Sequence, residues 1–530
     1  MLSSHLTEED LFSASQVCHY WRSALTSSPT LWTQVSCDRV RRAIVSLDRC
    51  GSLPIRLQFK PPFSHVAQQN MVLEDVLLRK SKIVSLTVNH RPNIIPQLHQ
   101  LLMHSRPSVE QLYIHAEDFR GWRAEERTIQ EIWQDLPSVR ELFVFQYYVP
   151  IEKLKAPNLV HLALEITGNE SNSTTTQSIL DMLRGCPLLE TFLLDHHDPL
   201  LSDGGGHPSV CLPRLRSIEV GVFEANLGLV PYLDFPRNVA VGLRRIGFSD
   251  LRSVISNPVV TTTQHVLGKI DIHSITLAAP ITRDFGVFTD ILVRFEGLQG
   301  SLEMTAKGPR NRYTEQYAAW DISFGPDGVL FSHPHNIRNV TELHVIGHRF
   351  RDDQAGSLHH VSTVIPNVVS ISFFHCDVVC LRELLAPTSL STPLFPHLER
   401  VMVLGHEPGL EEIVRGRKEL GVPLKTLVVG RGPEDFEYDH LEDYTTLEGL
   451  VDDLRVGCPT EILEWGTGNE IRNFWPTIED PLVSLTGSLI VLGLSPLRSI
   501  RSMVHMGCSN FVGSTFLGHE KELVIETVPY

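Results

Sequence analysis

Ile83-Val84-Ser85-Leu86-Thr87-Val88 decides how this chain is read. One apolar residue, two others, a second apolar residue, one more and a third: on a strand, Leu86 and Val88 point to the same face. The same spacing returns at Val109/Leu112/Ile114, Val139/Leu142/Val144, Leu159/Leu162/Leu164, Leu189/Phe192/Leu194, Leu215/Ile218/Val220, Leu243/Ile246/Phe248 and Ile272/Ile275/Leu277. After a gap come Val340/Leu343/Val345, Val368/Ile371/Phe373, Leu398/Val401/Val403 and Leu424/Leu427/Val429. Between central residues the steps are 26, 30, 20, 30, 26, 28, 29, 68, 28, 30 and 26. A short cluster returning at such a period marks a repeat array. One strand cannot bury its apolar face alone, whereas stacked copies share a continuous core. The 68-residue step leaves room for two units of decayed pattern, one at Leu302/Met304.

Between clusters lie stretches with helical character, Gln97–Leu102, Ser178–Leu183, Leu381–Leu385 and Leu410–Val414. A proline precedes many clusters, at Pro107, Pro137, Pro157, Pro187, Pro213, Pro366, Pro396 and Pro423. Proline stops a helix and biases the residue before it to extended geometry. The expected unit is helix, proline-marked turn, short strand. Val368-x-x-Ile371-x-Phe373-x-x-Cys376-x-Val378 resembles the leucine-rich repeat at full length, and the other copies resemble a degenerate form lacking its Asn/Cys. The resemblance implies an α/β solenoid of parallel strands and helices, with a short helical module before it.

That module opens the chain. Thr7-Glu8-Glu9-Asp10 is suited to capping a helix, and Leu11, Ala14, Val17, Cys18, Trp21 and Leu25 then recur at helical spacing. A single helix over 8–26 is expected to pack Val17 and Trp21 against Leu31-Trp32, so that Trp21→Ala costs roughly 3–5 kcal/mol. Asp10-Leu11, Val17-Cys18-His19-Tyr20-Trp21-Arg22 and Leu31-Trp32 resemble, in order and spacing, the second half of an F-box, with Val17, Cys18, Trp21, Leu31 and Trp32 as its core. Cys50-Gly51-Ser52-Leu53-Pro54-Ile55-Arg56-Leu57 resembles the connector into the repeats of fungal F-box proteins. The resemblance implies docking on a Skp-family adaptor of a cullin ubiquitin ligase, with an unidentified target protein held by the repeats. An F-box usually begins with a Leu-Pro pair, and this sequence opens inside that first helix. Leu2, Leu6 and Leu11 are therefore the candidates for adaptor contact, and the docking is expected to be weakened. A ligase-independent scaffold, whose F-box remnant caps the array, is the alternative.

The resulting organisation is a helical module at 1–36, a connector at 37–82, the array at 83–455 and an atypical cap or tail at 456–530. A net charge of −16 argues against a nucleic-acid or anionic-membrane surface, which needs concentrated Lys and Arg. Neither a basic-then-apolar leader nor a long apolar run occurs. Nine cysteines without a C-x-x-C pair suit reduced thiols of the cytosol or nucleus. No H-E-x-x-H, phosphate-cradling glycine loop or G-x-S-x-G elbow is present, so the expectation is a non-catalytic subunit without metal or cofactor.

Overall fold

The computed structural model describes residues 8–37, 39–59, 66–79, 82–90, 95–116, 132–145, 149–166, 174–196, 206–221, 227–247, 257–278, 290–307, 337–346, 361–374, 376, 381, 385, 394–404, 409–430 and 444–457. Within them the clusters become strands: β1 (Gln34–Ser36), β2 (Ile55–Phe59), β3 (Ile83–His90), β4 (Gln111–Ala116), β5 (Glu141–Phe145), β6 (His161–Ile166) and β7 (Thr191–His196). The two-residue β8 (Val210–Cys211) pairs only with β10 (Leu233–Asp234), flanking β9 (Ser217–Gly221) in the sequence. Then follow β11 (Ala240–Gly247), β12 (Ile272–Ala278), β13 (Asp290–Gly297), β14 (Ser301–Lys307), β15 (Glu342–Ile346), β16 (Ser370–Phe374), β17 (Arg400–Leu404), β18 (Thr426–Gly430) and β19 (Asp453–Gly457).

Seventeen of these strands form one sheet. From partner to partner it runs β1 to β7 in chain order, then β9, β11, β14, β13, β12, and β15 to β19. Every pairing is parallel except the two made by β13. Along the register one apolar row crosses the sheet: Val35, Leu57, Leu86, Leu112, Leu142, Leu162, Phe192 and Ile218 lie side by side. All are buried, as are Ile275, Leu343, Ile371, Val401 and Leu427 further on. Successive units are also tied by one recurring backbone bond, from Glu110 N to Val84 O, Arg140 N to Glu110 O, Val160 N to Arg140 O and Glu190 N to Val160 O.

The residue after the turn proline adds a side-chain bond to the preceding unit. Ser108 Oγ donates to Ile83 O, Ser138 Oγ to Pro107 O, Asn158 Nδ2 to Pro137 O and Asn367 Nδ2 to Arg338 O, at 2.7–2.8 Å. Cys376, the Cys of the full-length cluster, is buried and reaches Val345 O at 3.3 Å. These bonds satisfy turn carbonyls that stacking takes out of water.

Helices fill the longer connections: Ile95–Ser105, Thr176–Arg184 and Leu410–Glu419 cover three of the stretches expected to be helical. Thr175 caps the second, with Ser178 N donating to Thr175 Oγ1 and Thr175 N to Ser178 Oγ. Of Leu381–Leu385 only the two terminal leucines are described, both buried. The step of 20 before Leu162 has no room for a helix and carries a single 3-10 turn, Ile151–Lys153.

Three expectations are corrected. The cluster Leu243/Ile246/Phe248 is out of register: Val241 and Leu243 are the residues beside Ile218 and Val220. Leu302/Met304 does continue the row, beside Val241/Leu243. Across the 68-residue gap β12 pairs directly with β15, so among the described residues no second parallel unit stands between them. Instead β13 folds back antiparallel and wedges between β12 and β14. Its turn runs against the neighbouring backbone, since a Cβ on Gly300 would lie 2.4 Å from Arg237 O and one on Gly297 2.4 Å from Ile270 Cγ2. Only glycine fits there. The sheet also begins earlier than 83, because 37–82 contributes β2 and the helices Val40–Cys50 and Val66–Leu78. The segment from 458 onward lies outside the described residues.

Among the described residues Arg417 is the largest fully buried charged side chain. Fully enclosed, it donates to Leu394 O at 2.9 Å and Phe395 O at 3.1 Å. Burial lowers its guanidinium to about 10, so it stays protonated at neutral pH. Phe395 holds φ at 50°, a region that side chains other than glycine disfavour, and the arginine fixes its carbonyl. Arg417→Met keeps the packing but strands those acceptors. The expected loss is about 2–3 kcal/mol, since an unsatisfied buried group costs about 1–3 kcal/mol. A shifted urea midpoint checks it, and an unchanged midpoint refutes this role.

Candidate functional site

Sequence and packing separate the N-terminal module into an inner and an outer side. Its helical stretch breaks at Cys18, which is extended (φ −158°, ψ 170°), giving helices Glu8–Val17 and His19–Thr26 in place of one. A 3-10 turn, Pro29–Trp32, then leads into β1. Trp32 is fully buried and donates its indole N–H to Leu25 O at 2.9 Å. Phe12 meets it edge-on at 5.2 Å, and the Arg49 guanidinium stacks 4.1 Å from its ring centroid. Arg42 lies over Phe12 at 5.2 Å and also reaches Glu9 at 3.5 Å, while Arg39 holds Glu9 at 2.9 Å. Burial pulls the Arg49 pKa down from the ordinary arginine value. Aromatic faces suit such a partly desolvated cation.

Arg42 and Arg49 both belong to helix Val40–Cys50, which follows β1. The module is thus joined to the sheet through β1 and through this helix, and its core is continuous with the sheet's. The seven-residue spacing of the two arginines, two helical turns, is the signal in the sequence for this clamp. Apolar periodicity alone does not reveal it.

The expected core divides. Trp32 is core and Leu31 is half-buried. Val17, Cys18 and Trp21 are corrected: all three are exposed, Val17 at 71% and Trp21 at 52%. Tyr20 joins them at 78%, missed because it falls off the helical period. Leu25 and Phe12 make the contacts expected of Val17 and Trp21. Leu11, a candidate for adaptor contact, is buried at 5% and belongs to the core; Leu2 and Leu6 lie outside the described residues. Val17, Tyr20 and Trp21 thus expose an aliphatic, a phenol and an indole on two short helices. Among the described residues no group of His, Cys, Asp or Glu could hold a metal ion, and no helix is long and apolar enough to cross a membrane. Cys186, in the sheet's core, has its thiol pushed up to about 12 by burial, which keeps it protonated and unreactive.

The family model described as F-box-like matches residues 2–38, the span that ends just after β1. No curated protein matches the chain.

Proposed function

We propose that this protein is the substrate-recognition subunit of a Skp–cullin–F-box ubiquitin ligase. F-box domains bind Skp-type adaptors, and the F-box-like domain at 2–38 supports that kind of partner. The observation that carries the reading is the exposed trio Val17, Tyr20 and Trp21 within that domain. Exposed tryptophan and tyrosine held on a rigid base are typical anchors of protein interfaces. On this reading they face the adaptor, and the sheet, a leucine-rich-repeat-like solenoid, holds a target protein. The subunit supplies proximity, making ubiquitin transfer effectively intramolecular, and contributes no catalytic residue. It works in the cytosol or nucleus.

A second reading, a ligase-independent scaffold, draws on β1: the domain closes the first edge of the sheet, a service any array needs. Co-purification with a Skp adaptor separates the two. Trp21→Asp is expected to weaken adaptor binding about 10- to 100-fold, the range of an interface hot spot, and to leave the unfolding midpoint within about 0.5 kcal/mol. Adaptor binding that survives both Trp21→Asp and Tyr20→Asp, or that never occurs, would leave the scaffold reading standing.

A further inference from the structure

The helix that presents Tyr20 and Trp21, His19–Thr26, runs out in hydroxyls, Thr26-Ser27-Ser28, followed by Pro29. Its last turn carries no basic side chain, so no residue of its own answers the negative end of the helix dipole. Hydroxyls serve the closing carbonyls instead. Thr26 Oγ1 donates to Arg22 O at 2.8 Å, Ser27 Oγ to Ala24 O at 3.0 Å and Ser28 Oγ to the same Ala24 O at 2.9 Å. Ser28 is also the joint between the helix and the turn that carries Trp32. Its amide donates to Leu25 O at 3.2 Å, and its carbonyl accepts from Leu31 N at 3.1 Å. Ser28 is half-buried, while Ser27, Pro29 and Thr30 around it are exposed. Three arginines of this region are engaged elsewhere: Arg22 Nε on Ser15 O, Arg42 on Glu9 and Phe12, and Arg49 over Trp32.

We propose that Ser28 is a phosphorylation site for a proline-directed protein kinase, and that the phosphate switches off the adaptor-docking surface. This rests on the reading of Val17, Tyr20 and Trp21 as adaptor anchors. Ser28-Pro29 supplies the acceptor hydroxyl with proline directly after it, the pair such a kinase selects. In the step, Ser28 Oγ attacks the γ-phosphorus of ATP. The Oγ–P bond forms as the bond from that phosphorus to the ADP oxygen breaks; the hydroxyl proton passes to the kinase's base, and ADP leaves. The product has no Oγ proton to give Ala24 O. It also brings a charge of about −1.5 to −2 to a helix end that is already negative, the placement in which a phosphate disrupts rather than organises. The following turn offers no relief, because Pro29 has no N–H and Leu31 N is already bonded to Ser28 O. Ala24 lies about one helical turn from Tyr20 and Trp21. A helix loosened at that carbonyl therefore lets go of both anchors.

The full chain is incubated with ATP, Mg²⁺ and a purified mitogen-activated protein kinase, and modified residues are mapped by tandem mass spectrometry. Mapping is needed because Thr392-Pro393 and Ser495-Pro496 are the other Ser/Thr-Pro pairs in the sequence. Phosphate is expected on Ser28, lost in Ser28→Ala and in Pro29→Ala, and kept in Ser27→Ala. Trypsin cleavage after Arg22, read without adaptor, should then quicken about 5- to 10-fold as the helix opens more often. Binding to a Skp adaptor should weaken about 10-fold. Ser28→Ala should behave alike with and without kinase treatment in both measurements. If Ser28 stays unmodified while a Ser-Pro control peptide is consumed, the site is overturned. Phosphate on Ser28 that leaves the trypsin rate or the adaptor affinity unchanged overturns the switch. Should the adaptor never bind, the ligase reading falls, whereas mapping and proteolysis still decide whether Ser28 is modified and whether its phosphate opens the helix.

Discussion

Leu343→Asp is expected to unfold the centre of the sheet. Leu343 is fully buried, with Ile275 on one side and Ile371 on the other in the apolar row. An aspartate there has no cation within the row, and an ionised carboxylate in apolar surroundings is far costlier than an unpaired amide. The fall in stability should exceed about 4–5 kcal/mol, the range that only buried charge or gross cavity formation reaches. Because each strand is held by its neighbours, the damage should spread to β12 and β16 and fade beyond them. Amide hydrogen exchange reads this directly: Ile272–Ala278 and Ser370–Phe374 should lose protection first, Ile83–His90 last. Leu343→Ala, which leaves only a cavity, should cost less, about 2–5 kcal/mol. Equal protection in the Asp variant and the parent would refute the shared row.

The second large effect is at the module. Trp32→Ala removes the ring that Phe12 and Arg49 pack on and the donor that serves Leu25 O. The expected cost is about 3–5 kcal/mol, as for other buried aromatics. It should be felt locally, as helices Glu8–Val17 and His19–Thr26 come loose and Arg22 becomes open to trypsin. Trp21→Ala, at a tryptophan that is half exposed, should stay within about 1 kcal/mol. Limited proteolysis of the two variants side by side is the check. If both were cut alike, the assignment of inner and outer sides would be wrong.

Why one tryptophan was legible and the other was not is a question of phase. Trp32 follows a proline and a leucine, and its place in the core needed no long-range register. Val17 and Trp21 were read on one continuous helix, and that period holds only while the backbone does. The extended geometry at Cys18 resets it, and no residue type in the sequence announces a break there. The same logic runs through the sheet. Paired apolar residues two apart were enough to find its strands, because burial on one face enforces that alternation. They were not enough at β11, where Val241, Leu243 and Ile246 offer competing pairs and only the neighbour β9 chooses among them. The hairpin of β13 and β14 carries the right alternation but not the direction, which periodicity cannot encode. Tyr113 and Glu303 stood in the sequence as the polar-face half of each strand, but their neighbours on the face come from other units, and only the register brings them together.

The reversed strand β13 also sets a timetable for synthesis. Away from β11 and β12 a strand waits about one unit for its partner: Gln111 meets Glu141 and His161 meets Thr191, each 30 residues later, whereas the second edge of β11 stays open until β14. His273 must wait 68 residues for Thr341. A chain leaving the ribosome can therefore zip its first strands together almost as fast as they emerge, closing short loops at small entropic cost. At β11 and β12 the zipper stalls, with edges held open until β14 and β15 appear. At about 5–20 residues per second that pause lasts several seconds, and it is the interval in which a nascent chain of this protein has most need of a chaperone.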